Sequence, residues 1–310
     1  MAGSAEAEVD LRISVVIPHL NQPDALRRCL ASIAAGRRKP DEVIVVDNGS
    51  TERPDSVCAQ FPDTTLLSEL TPGPGPARNR GAAAASGNIL AFIDADCTAD
   101  PGWLEAAEAA LRDPEVTVIG GDVRIALSDP ARLTVLEAYE SVYAYRMDRY
   151  IAREGFTGTG NLVMRRRVLD EVGPFAGLGI AEDRDWGQRA TSRGYRTVYL
   201  PAMRVYHPAR NDFADLFRKW DRHVAHDFAA LSGPTGRMRW VAKMLALVVS
   251  PVAEIPRILT CDRISGPRSR ALAFAGMVRV RLYRARVMFW LARGGDPAAL
   301  TGGWNRPAIR

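Results

Sequence analysis

The chain has 310 residues, of which 47% are hydrophobic and 25% charged. These ordinary values exclude a protein that is disordered throughout, and the length allows one large α/β domain with or without an appended region. The net charge of +5 is unevenly distributed, because residues 213–310 contain 17 Lys and Arg against 6 Asp and Glu, whereas residues 1–212 contain 24 against 30. The basic C-terminal part predicts an anionic partner. A membrane surface is favoured over nucleic acid, because no recognised nucleic-acid motif accompanies the arginines.

The cysteine spacing and the N-terminal residues predict a cytoplasmic location. Four scattered cysteines have no paired spacing typical of a zinc site or a disulfide framework, so we expect reduced thiols. Residues 1–10 are acidic and lack the basic start and apolar core of a signal peptide. We expect this N-terminus to be disordered.

Apolar strands alternate with helices in the first hundred residues. The patterns predict strands over residues 11–17, 42–46, 64–67 and 89–93, and helices over 23–35 and 77–86. Pro18 is expected to end the first strand, because it cannot donate to a ladder. This order predicts an α/β fold with a single Rossmann-like, mostly parallel sheet flanked by helices. The segment after the first strand has no glycine, which argues against a dinucleotide-binding fold.

Carboxylates follow two of these strands directly. Asp94 and Asp96 lie one residue apart after residues 89–93, and such a pair suits a hard divalent cation with the phosphate oxygens that share it. The alternative is that they are turn residues that cap the next helix. Asp47 begins the sequence D-N-G-S, which also forms an Asx turn without a ligand. Arg78 lies early in a helix, against the dipole preference, so we expect it to face an anion or the carboxylates.

The second half of the chain adds two candidate features. Residues 101–112 and 131–150 are predicted helices, residues 116–120 a strand, and residues 156–166 a glycine turn that enters a strand. Three carboxylates, Glu182, Asp183 and Asp185, crowd the start of the next helix, either as favourable charges at its N-terminus or to supply a general base. His207 follows two short strands over residues 197–200 and 203–205, and a lone histidine is more often structural than a ligand.

The C-terminal region is expected to form a helical appendage. Residues 241–253 are apolar but too short, and too interrupted by Lys243 and Pro251, to span a bilayer, so the sequence allows them to lie in the membrane interface or to be re-entrant. Residues 271–293 interleave aromatic and basic side chains. They fit either a helix on an anionic membrane surface or a helix packed on the main domain with a solvated basic face.

Five motifs together resemble family 2 glycosyltransferases, in order and in spacing, over about residues 12–210: V-V-I-P-H-L-N (15–21), V-V-D-N-G-S (45–50), P-A-R-N-R-G (76–81), D-A-D (94–96) and A-E-D-R-D-W (181–186). The resemblance implies a GT-A fold, a nucleotide-sugar donor, a divalent metal and inversion at the anomeric carbon. It suggests a catalytic domain over residues 11–212 and a basic helical region over residues 213–310 that could associate with membrane.

The resemblance also implies roles for particular residues. Pro18 and Asn21 would lie beside the nucleotide, Asp47 would bind the base, most often uracil, and Asp94 would contact the ribose or the donor sugar. Asp96 and His207 would ligate Mn²⁺ or Mg²⁺, and Arg78 would steady the carboxylates or the diphosphate. Asp183 matches the catalytic base, with Asp185 as the fallback, and the acceptor side would include Gly160, Asn161 and Trp186. His19 and Asn21 depart from the residues that many members carry.

The predicted reaction is transfer of a sugar, of the hexosyltransferase class, from a nucleoside diphosphate sugar to an acceptor hydroxyl. UDP is the expected nucleotide, and the basic C-terminal region favours a cell-envelope, polysaccharide or lipid-linked acceptor at the inner face of the cell membrane. A sugar-1-phosphate nucleotidyltransferase is less favoured, because its glycine- and arginine-rich first loop is absent. A different alternative is a catalytically idle module that binds nucleotide sugar or tethers a glycan assembly to the membrane.

Overall fold

The structure, a computed structural model, describes residues 10–300 and has a mixed α/β fold. The strands are β1 (Ile13–His19), β2 (Glu42–Asp47), β3 (Thr64–Ser68), β4 (Ile89–Ile93), β5 (Thr98–Ala99), β6 (Val118–Ala126), β7 (Asn161–Arg165) and β8 (Thr197–Pro208). The first helices are α1 (Pro23–Ala34), α2 (Asp55–Cys58), α3 (Pro74–Ala84), α4 (Trp103–Leu111), α5 (Val135–Tyr143), α6 (Met147–Glu154), α7 (Arg166–Val172) and α8 (Glu182–Ser192). They are followed by α9 (Phe213–Ala229), α10 (Gly233–Val249), α11 (Ile255–Leu259) and α12 (Gly266–Ala292), with 3-10 helices at Ser250–Glu254 and Pro297–Leu300.

The chain divides into two compact units. The sheet unit contains the described residues up to Arg124 together with Tyr145–Pro208, and the helical unit contains Ile125–Ala144 and the described residues from Ala209 onward. The sequence patterns assigned residues 125–144 to the catalytic domain, but they pack with the C-terminal helices instead. The expected disordered N-terminus covers residues 1–10, of which 1–9 lie outside the described residues.

The sheet has eight strands in the order β3-β2-β1-β4-β7-β6-β8-β5. β1 pairs in parallel with β2 and β4, and β2 pairs in parallel with β3. This part is the expected parallel sheet, whereas β7 runs antiparallel to β4 and β6, and β5 runs antiparallel to β8. The parallel strands therefore share one carboxyl edge, and β7 begins at that edge because it runs in the opposite direction.

Apolar side chains on both faces of the sheet form its core, and β4 is buried at all five positions. On one face α1 packs through residues spaced three and four apart, namely Leu26, Cys29, Leu30 and Ile33. On the other face Gly81 of α3 lies against the sheet, where an added Cβ would stand 2.4 Å from Val16 Cγ1. The four cysteines are free and buried, as their scattered spacing predicts.

Three elements differ from the sequence patterns. β1 continues through Pro18 to His19, because the His19 carbonyl accepts a hydrogen bond from the amide of Asn48, so Pro18 does not end the strand. The helix expected over residues 131–150 is two helices, α5 and α6, and Tyr145 between them has a φ of +49°. The two short strands expected before His207 are one continuous strand, β8.

The helical unit has its own apolar core, in which α12 is the central helix. α12 packs against α5 where Gly276 would place a Cβ 2.8 Å from Tyr139 Cβ, and Met277, Val280 and Met288 are buried. Two of its arginines lie against aromatic rings, with the Arg279 guanidinium 3.9 Å from the Phe213 ring centroid and that of Arg284 3.8 Å from the Trp220 centroid. α12 is therefore packed against other helices of its own unit.

Within residues 10–300, no helix combines the length and the hydropathy needed to cross a membrane.

We predict that Gly81→Ala destabilises the sheet unit. The new Cβ would overlap Val16 and stand 3.1 Å from Val46 Cγ2, so α3 would have to move away from the sheet. Overpacking of this kind should lower the free energy of unfolding by about 1–3 kcal/mol, measured by urea denaturation. Gly177 is the matched control because an added Cβ there meets no atom within 4 Å. If Gly177→Ala cost as much, close packing at Gly81 would not be the cause.

Candidate active site

Arg78 joins two carboxylates at the carboxyl edge of the sheet. The residue lies on α3 and is only 3% exposed. One terminal nitrogen donates to Asp94 Oδ1 at 2.6 Å, directly after β4, and the other donates to Glu182 Oε1 at 2.9 Å, at the start of α8. A buried guanidinium needs such partners, because a buried charge without them is costly. Arg78 therefore faces carboxylates, as its position early in a helix predicts, and ties α8 to the end of β4.

Gly160 lies directly against the carboxylate of Asp94, on the oxygen that does not bind Arg78. A Cβ added at Gly160 would lie 2.5 Å from Asp94 Oδ2, so only glycine leaves room for Asp94 in its present position. The residue immediately precedes β7, whose antiparallel pairing with β4 matches Asn161 with Ile93. Asp94 is thus held between Arg78 and the backbone at Gly160, and its side chain remains about one third exposed.

Asp96 and His207 form a second pair at this edge. β5 pairs with β8 so that Thr98 faces Tyr206, and the continued register brings His207 alongside the residues that follow Asp94. His207 Nε2 lies 3.3 Å from Asp96 Oδ2 and 3.0 Å from the hydroxyl of Tyr145. Its Nδ1 lies 2.7 Å from the carbonyl oxygen of Pro208 and is placed to donate to it. The turn-capping interpretation of Asp94 and Asp96 is therefore wrong, since both are committed to other partners and α4 begins after Gly102.

The Asp96 and His207 pair fits a divalent cation in its donor chemistry. A histidine that donates from Nδ1 to a backbone carbonyl presents the lone pair of Nε2, an arrangement typical of metal-binding histidines. Burial lowers the pKa of His207, but the hydrogen bond and the charge of Asp96 outweigh burial and raise this pKa above its ordinary value. Among the described residues, no group of three or more His, Cys, Asp or Glu could hold a metal on its own. Two protein ligands match the case in which substrate phosphates supply the rest.

Asp183 and Asp185 have different surroundings on the first turn of α8. Burial and the adjacent charge of Glu182 raise the pKa of Asp183, whose carboxylate accepts only the backbone amide of Arg184 among the bonds of the described residues. Asp185 instead accepts from Arg189 Nε at 2.9 Å, and Arg189 also donates to two carbonyls that precede α8. Asp185 therefore helps to anchor α8, while Asp183 keeps its carboxylate available.

His19 and Asp47 lie at the ends of β1 and β2 and hold the neighbouring loop. His19 Nδ1 lies 3.1 Å from Asp47 Oδ1, and Asp47 Oδ2 accepts from the amides of Gly49 and Ser50. The Asx turn considered for Asp47 is therefore present, and the residue is 4% exposed. A carboxylate has about four acceptor sites, so these bonds leave capacity for a ligand.

Asn21 connects the same two loops, with a φ of +55°. Its amide donates to Ser50 Oγ, and its side-chain oxygen accepts from the amide of Thr51, both at 2.8 Å. Pro18 lies one residue inside the end of β1, where it pairs with Val46. Both residues assigned to the nucleotide side therefore flank the edge at which Asp47 lies.

Two residues expected on the acceptor side are buried in the core, which corrects that expectation. Asn161 is fully buried, accepts from the Trp103 indole at 2.8 Å, and donates to the carbonyls of Asp122 and Met203. Trp186 is 2% exposed, donates to the carbonyl of Gly173, and packs beside Phe175. Since their polar groups already have partners inside the protein, both side chains stabilise the site's framework rather than face a ligand.

The sequence did not predict how Glu182 and Tyr145 contribute to the site. Glu182 was one of three carboxylates expected either to favour the start of the helix or to supply a general base, and its bridge through Arg78 to Asp94 is seen only in the structure. Tyr145 lies in the segment predicted as one helix over residues 131–150. Its contact with His207 depends on the break between α5 and α6, which the periodicity of residues 131–150 did not reveal.

Comparison with known proteins places this site within a family. The Glycosyl transferase family 2 model matches residues 14–173, just over half of the chain. Glycosyltransferase AglE of Haloferax volcanii is 33% identical over a 215-residue alignment that covers 67% of this chain and 70% of that protein. Pre-mycofactocin glycosyltransferase of Mycobacterium tuberculosis is 28% identical over a 281-residue alignment that covers 88% of this chain and 57% of that protein. The family match ends before α8 and so does not include Asp183, Asp185 or His207.

A solved structure supports the same fold. The mannosyltransferase of Pyrobaculum calidifontis, determined in complex with GDP-Man and Mn²⁺, superposes with a TM-score of 0.58 at 19% identity, over 90% of this chain and 86% of that one. The fold is that of the GT-A glycosyltransferases, as the sequence predicts. The chain belongs to glycosyl transferase family 2 and is a glycosyltransferase that uses a nucleotide-sugar donor.

We predict that Gly160→Ala disrupts the position of Asp94. The added methyl would overlap Asp94 Oδ2 and force this carboxylate away from Arg78. A displacement of about 1 Å at a reacting site can cost about 100-fold in rate, so we expect sugar transfer to fall by about 10–100-fold in a steady-state assay. Gly158→Ala is the control, because its Cβ would meet only the flexible end of Met147, at 3.0 Å. Equal losses in both variants would argue against the contact with Asp94 as the cause.

Proposed function

We propose that the protein transfers a sugar from a nucleoside diphosphate sugar to an acceptor hydroxyl with inversion at the anomeric carbon. The observation that carries the proposal is the bridge from Asp94 through Arg78 to Glu182, which fixes the start of α8 at the carboxyl end of β4. Asp183 is the next residue of α8, so the bridge sets where its carboxylate lies relative to the D-A-D segment. This arrangement supports a general base at the start of α8, beside the carboxyl edge of the sheet at which the donor would bind.

Asp183 is proposed as the general base that accepts the proton of the acceptor hydroxyl as its oxygen attacks the anomeric carbon. Burial and the charge of Glu182 raise its pKa, which makes it a better proton acceptor than an ordinary aspartate. Asp185 is less suited, because its carboxylate is already engaged by Arg189. The acid limb of the rate profile should accordingly lie above the ordinary aspartate value of about 3.9.

Arg78 is proposed as a positioning residue rather than a direct ligand of the diphosphate. Both of its terminal nitrogens are engaged by carboxylates and the residue is buried, so it acts by orienting Asp94. Asp94 is proposed to contact the ribose or the donor sugar through its partly exposed carboxylate. Asp96 and His207 would hold Mn²⁺ or Mg²⁺, which when bound would neutralise charge on the leaving nucleoside diphosphate.

The donor and acceptor are proposed by class. Pro18, Asn21 and Asp47 flank the edge where the nucleotide of the donor would lie. The proposed nucleotide is UDP. GDP is the first alternative, because the Pyrobaculum mannosyltransferase was solved with GDP-Man. The proposed acceptor is a cell-envelope, polysaccharide or lipid-linked glycan at the inner face of the membrane, on the ground of the basic C-terminal region. A catalytically idle module is not favoured, because the buried Arg78 bridge, Asp183 and the Asp96 and His207 pair are all present.

The donor site can be tested by calorimetric titration of UDP-, GDP- and dTDP-sugars, with and without Mn²⁺. We expect one nucleotide to bind with a marked dependence on metal, and Asp96→Ala to abolish that dependence because it removes one of the two proposed protein ligands. Retained metal-dependent binding in Asp96→Ala would remove Asp96 from the metal site. Failure of every nucleotide to bind would overturn the proposed donor site.

The base assignment predicts a separation of binding from chemistry. Asp183→Asn should lower the transfer rate by at least about 100-fold with little change in donor affinity, because it removes a proton acceptor and preserves the side-chain shape. Asp185→Asn is the matched control on the same helical turn and should lose much less. The reverse order of the two losses in a transfer assay would identify Asp185 as the base.

A further inference from the structure

An exposed apolar stripe runs along consecutive helices of the helical unit. α10, the 3-10 helix at Ser250–Glu254 and α11 follow one another directly. The exposed side chains recur at intervals of about three and four residues and are between 39% and 73% exposed: Met238, Val241, Leu245, Val248, Val249, Val252, Ile255 and Leu259. Such spacing places side chains of a helix on one face, and the 22 residues would extend about 30 Å as helix.

The opposite face of α10 is also apolar and is already packed. Trp240 is buried and donates its indole hydrogen to the carbonyl of Met288, while Met244 and Leu247 pack against the same cluster. α10 is therefore apolar on both faces, although the described part of the chain covers only one of them. Helices that are apolar all round are normally buried, and contiguous exposed apolar patches mark interaction sites. This stripe is thus a surface that a partner covers.

An apolar groove continues the stripe at α11. Its volume is about 350 Å³, and Ile255, Leu259, Pro267 and Phe274 are among the residues that line it. Arg270, which also lines the groove, donates to the carbonyls of Ile258 and Leu259 at the end of α11. The guanidinium therefore caps the helix and lies at the rim of an apolar surface.

The charges around the stripe are mostly positive and favour an anionic partner. Residues 238–253 contain no Asp or Glu. Arg237 and Arg239 are exposed at one end of the stripe, and Arg268 is exposed after Pro267. None of these three forms an ion pair within residues 10–300, while Lys243 pairs with Asp227 and stays about half exposed. Apolar side chains flanked by unpaired arginines fit the acyl boundary and headgroups of an anionic bilayer.

A second copy of the chain fits this surface less well. Self-association about a twofold axis sets the same patch against itself, so the basic residues of one copy would approach those of the other. Like charges brought together across an interface oppose association. We propose that residues 238–259, with the flanking arginines, dock the helical unit on the surface of an anionic lipid bilayer. Of α12, this docking surface includes only Arg268 in the first turn. It leaves out residues 271–293, which the sequence pattern had also suggested and in which Arg279 and Arg284 lie on aromatic rings.

The proposal is tested by co-sedimentation of the full chain with vesicles. Phosphatidylcholine vesicles containing phosphatidylglycerol are compared with vesicles of phosphatidylcholine alone, at low and high salt. We expect the chain to sediment with the anionic vesicles and to be released by salt, because exposed arginines interact with headgroups over about one Debye length. Leu245→Gln combined with Val249→Gln should weaken binding at least tenfold, roughly the loss of burying two aliphatic side chains.

Matched variants separate the apolar and charged contributions. Leu70→Gln replaces an exposed leucine of the sheet unit, 84% exposed, and should bind vesicles as the wild type does. Arg237→Gln with Arg239→Gln should lower binding to anionic vesicles and leave binding to neutral vesicles unchanged. Nucleotide-sugar binding by each variant shows that the sheet unit is folded and keeps this test separate from the proposed transfer reaction.

Two results would overturn the proposal. The first is wild-type protein that binds nucleotide sugar but does not sediment with anionic vesicles at low salt. The second is a wild-type dimer in light scattering that Leu245→Gln with Val249→Gln converts to monomer, since the stripe would then be an interface between copies.

Discussion

The buried ion pair network of Arg78 is the constraint on which the site depends. A guanidinium that is almost fully removed from water is costly unless carboxylates compensate it, and here one carboxylate follows β4 while the other begins α8. The two elements are separated by about ninety residues of chain, so the pairing brings a donor-side aspartate and a base candidate into a fixed relation. Gly160 completes the arrangement because any larger residue would displace Asp94. Asp94 is thus positioned by the buried charge of Arg78 and by the space that glycine leaves at position 160.

Much of the sheet unit could be predicted because its signals are local. Runs of Val, Ile and Leu that end in aspartate or proline mark β1, β2 and β4, and the parallel arrangement follows from helices between them. The positions of Asp94, Asp96 and Arg78 were predicted from the same patterns. Asn161 and Trp186 were misjudged because a motif indicates that a residue matters without indicating whether its side chain faces a ligand or the core. Their hydrogen bonds to Asp122, Met203 and Gly173 depend on contacts distant in sequence.

The C-terminal region was harder to interpret, for a physical reason. Both α10 and α12 carry apolar and basic residues, so the sequence allowed a membrane surface for either segment and also a packed position for α12. Arginine on an aromatic ring is stabilised inside a protein as readily as at a lipid headgroup, so the pattern of α12 fitted either environment. Only packing shows that α12 contacts α5, α9 and α10, whereas one face of α10 is not covered by any of residues 10–300.

Residues 125–144 belong to the helical unit although both stretches of the sheet unit flank them in sequence, and this affects how the protein folds. α5 begins with a capping box formed by Thr134 and Glu137, so the helix has a local start signal. The side chains it buries, among them Leu136 and Tyr139, pack with residues of α9, α11 and α12 that are synthesised much later. During translation the apolar face of α5 therefore has no packing partner until α12 has been synthesised. Partly folded chains with exposed apolar surface favour chaperone binding or aggregation. Because the sheet unit consists of two stretches of the chain on either side of residues 125–144, no single cut separates the two units.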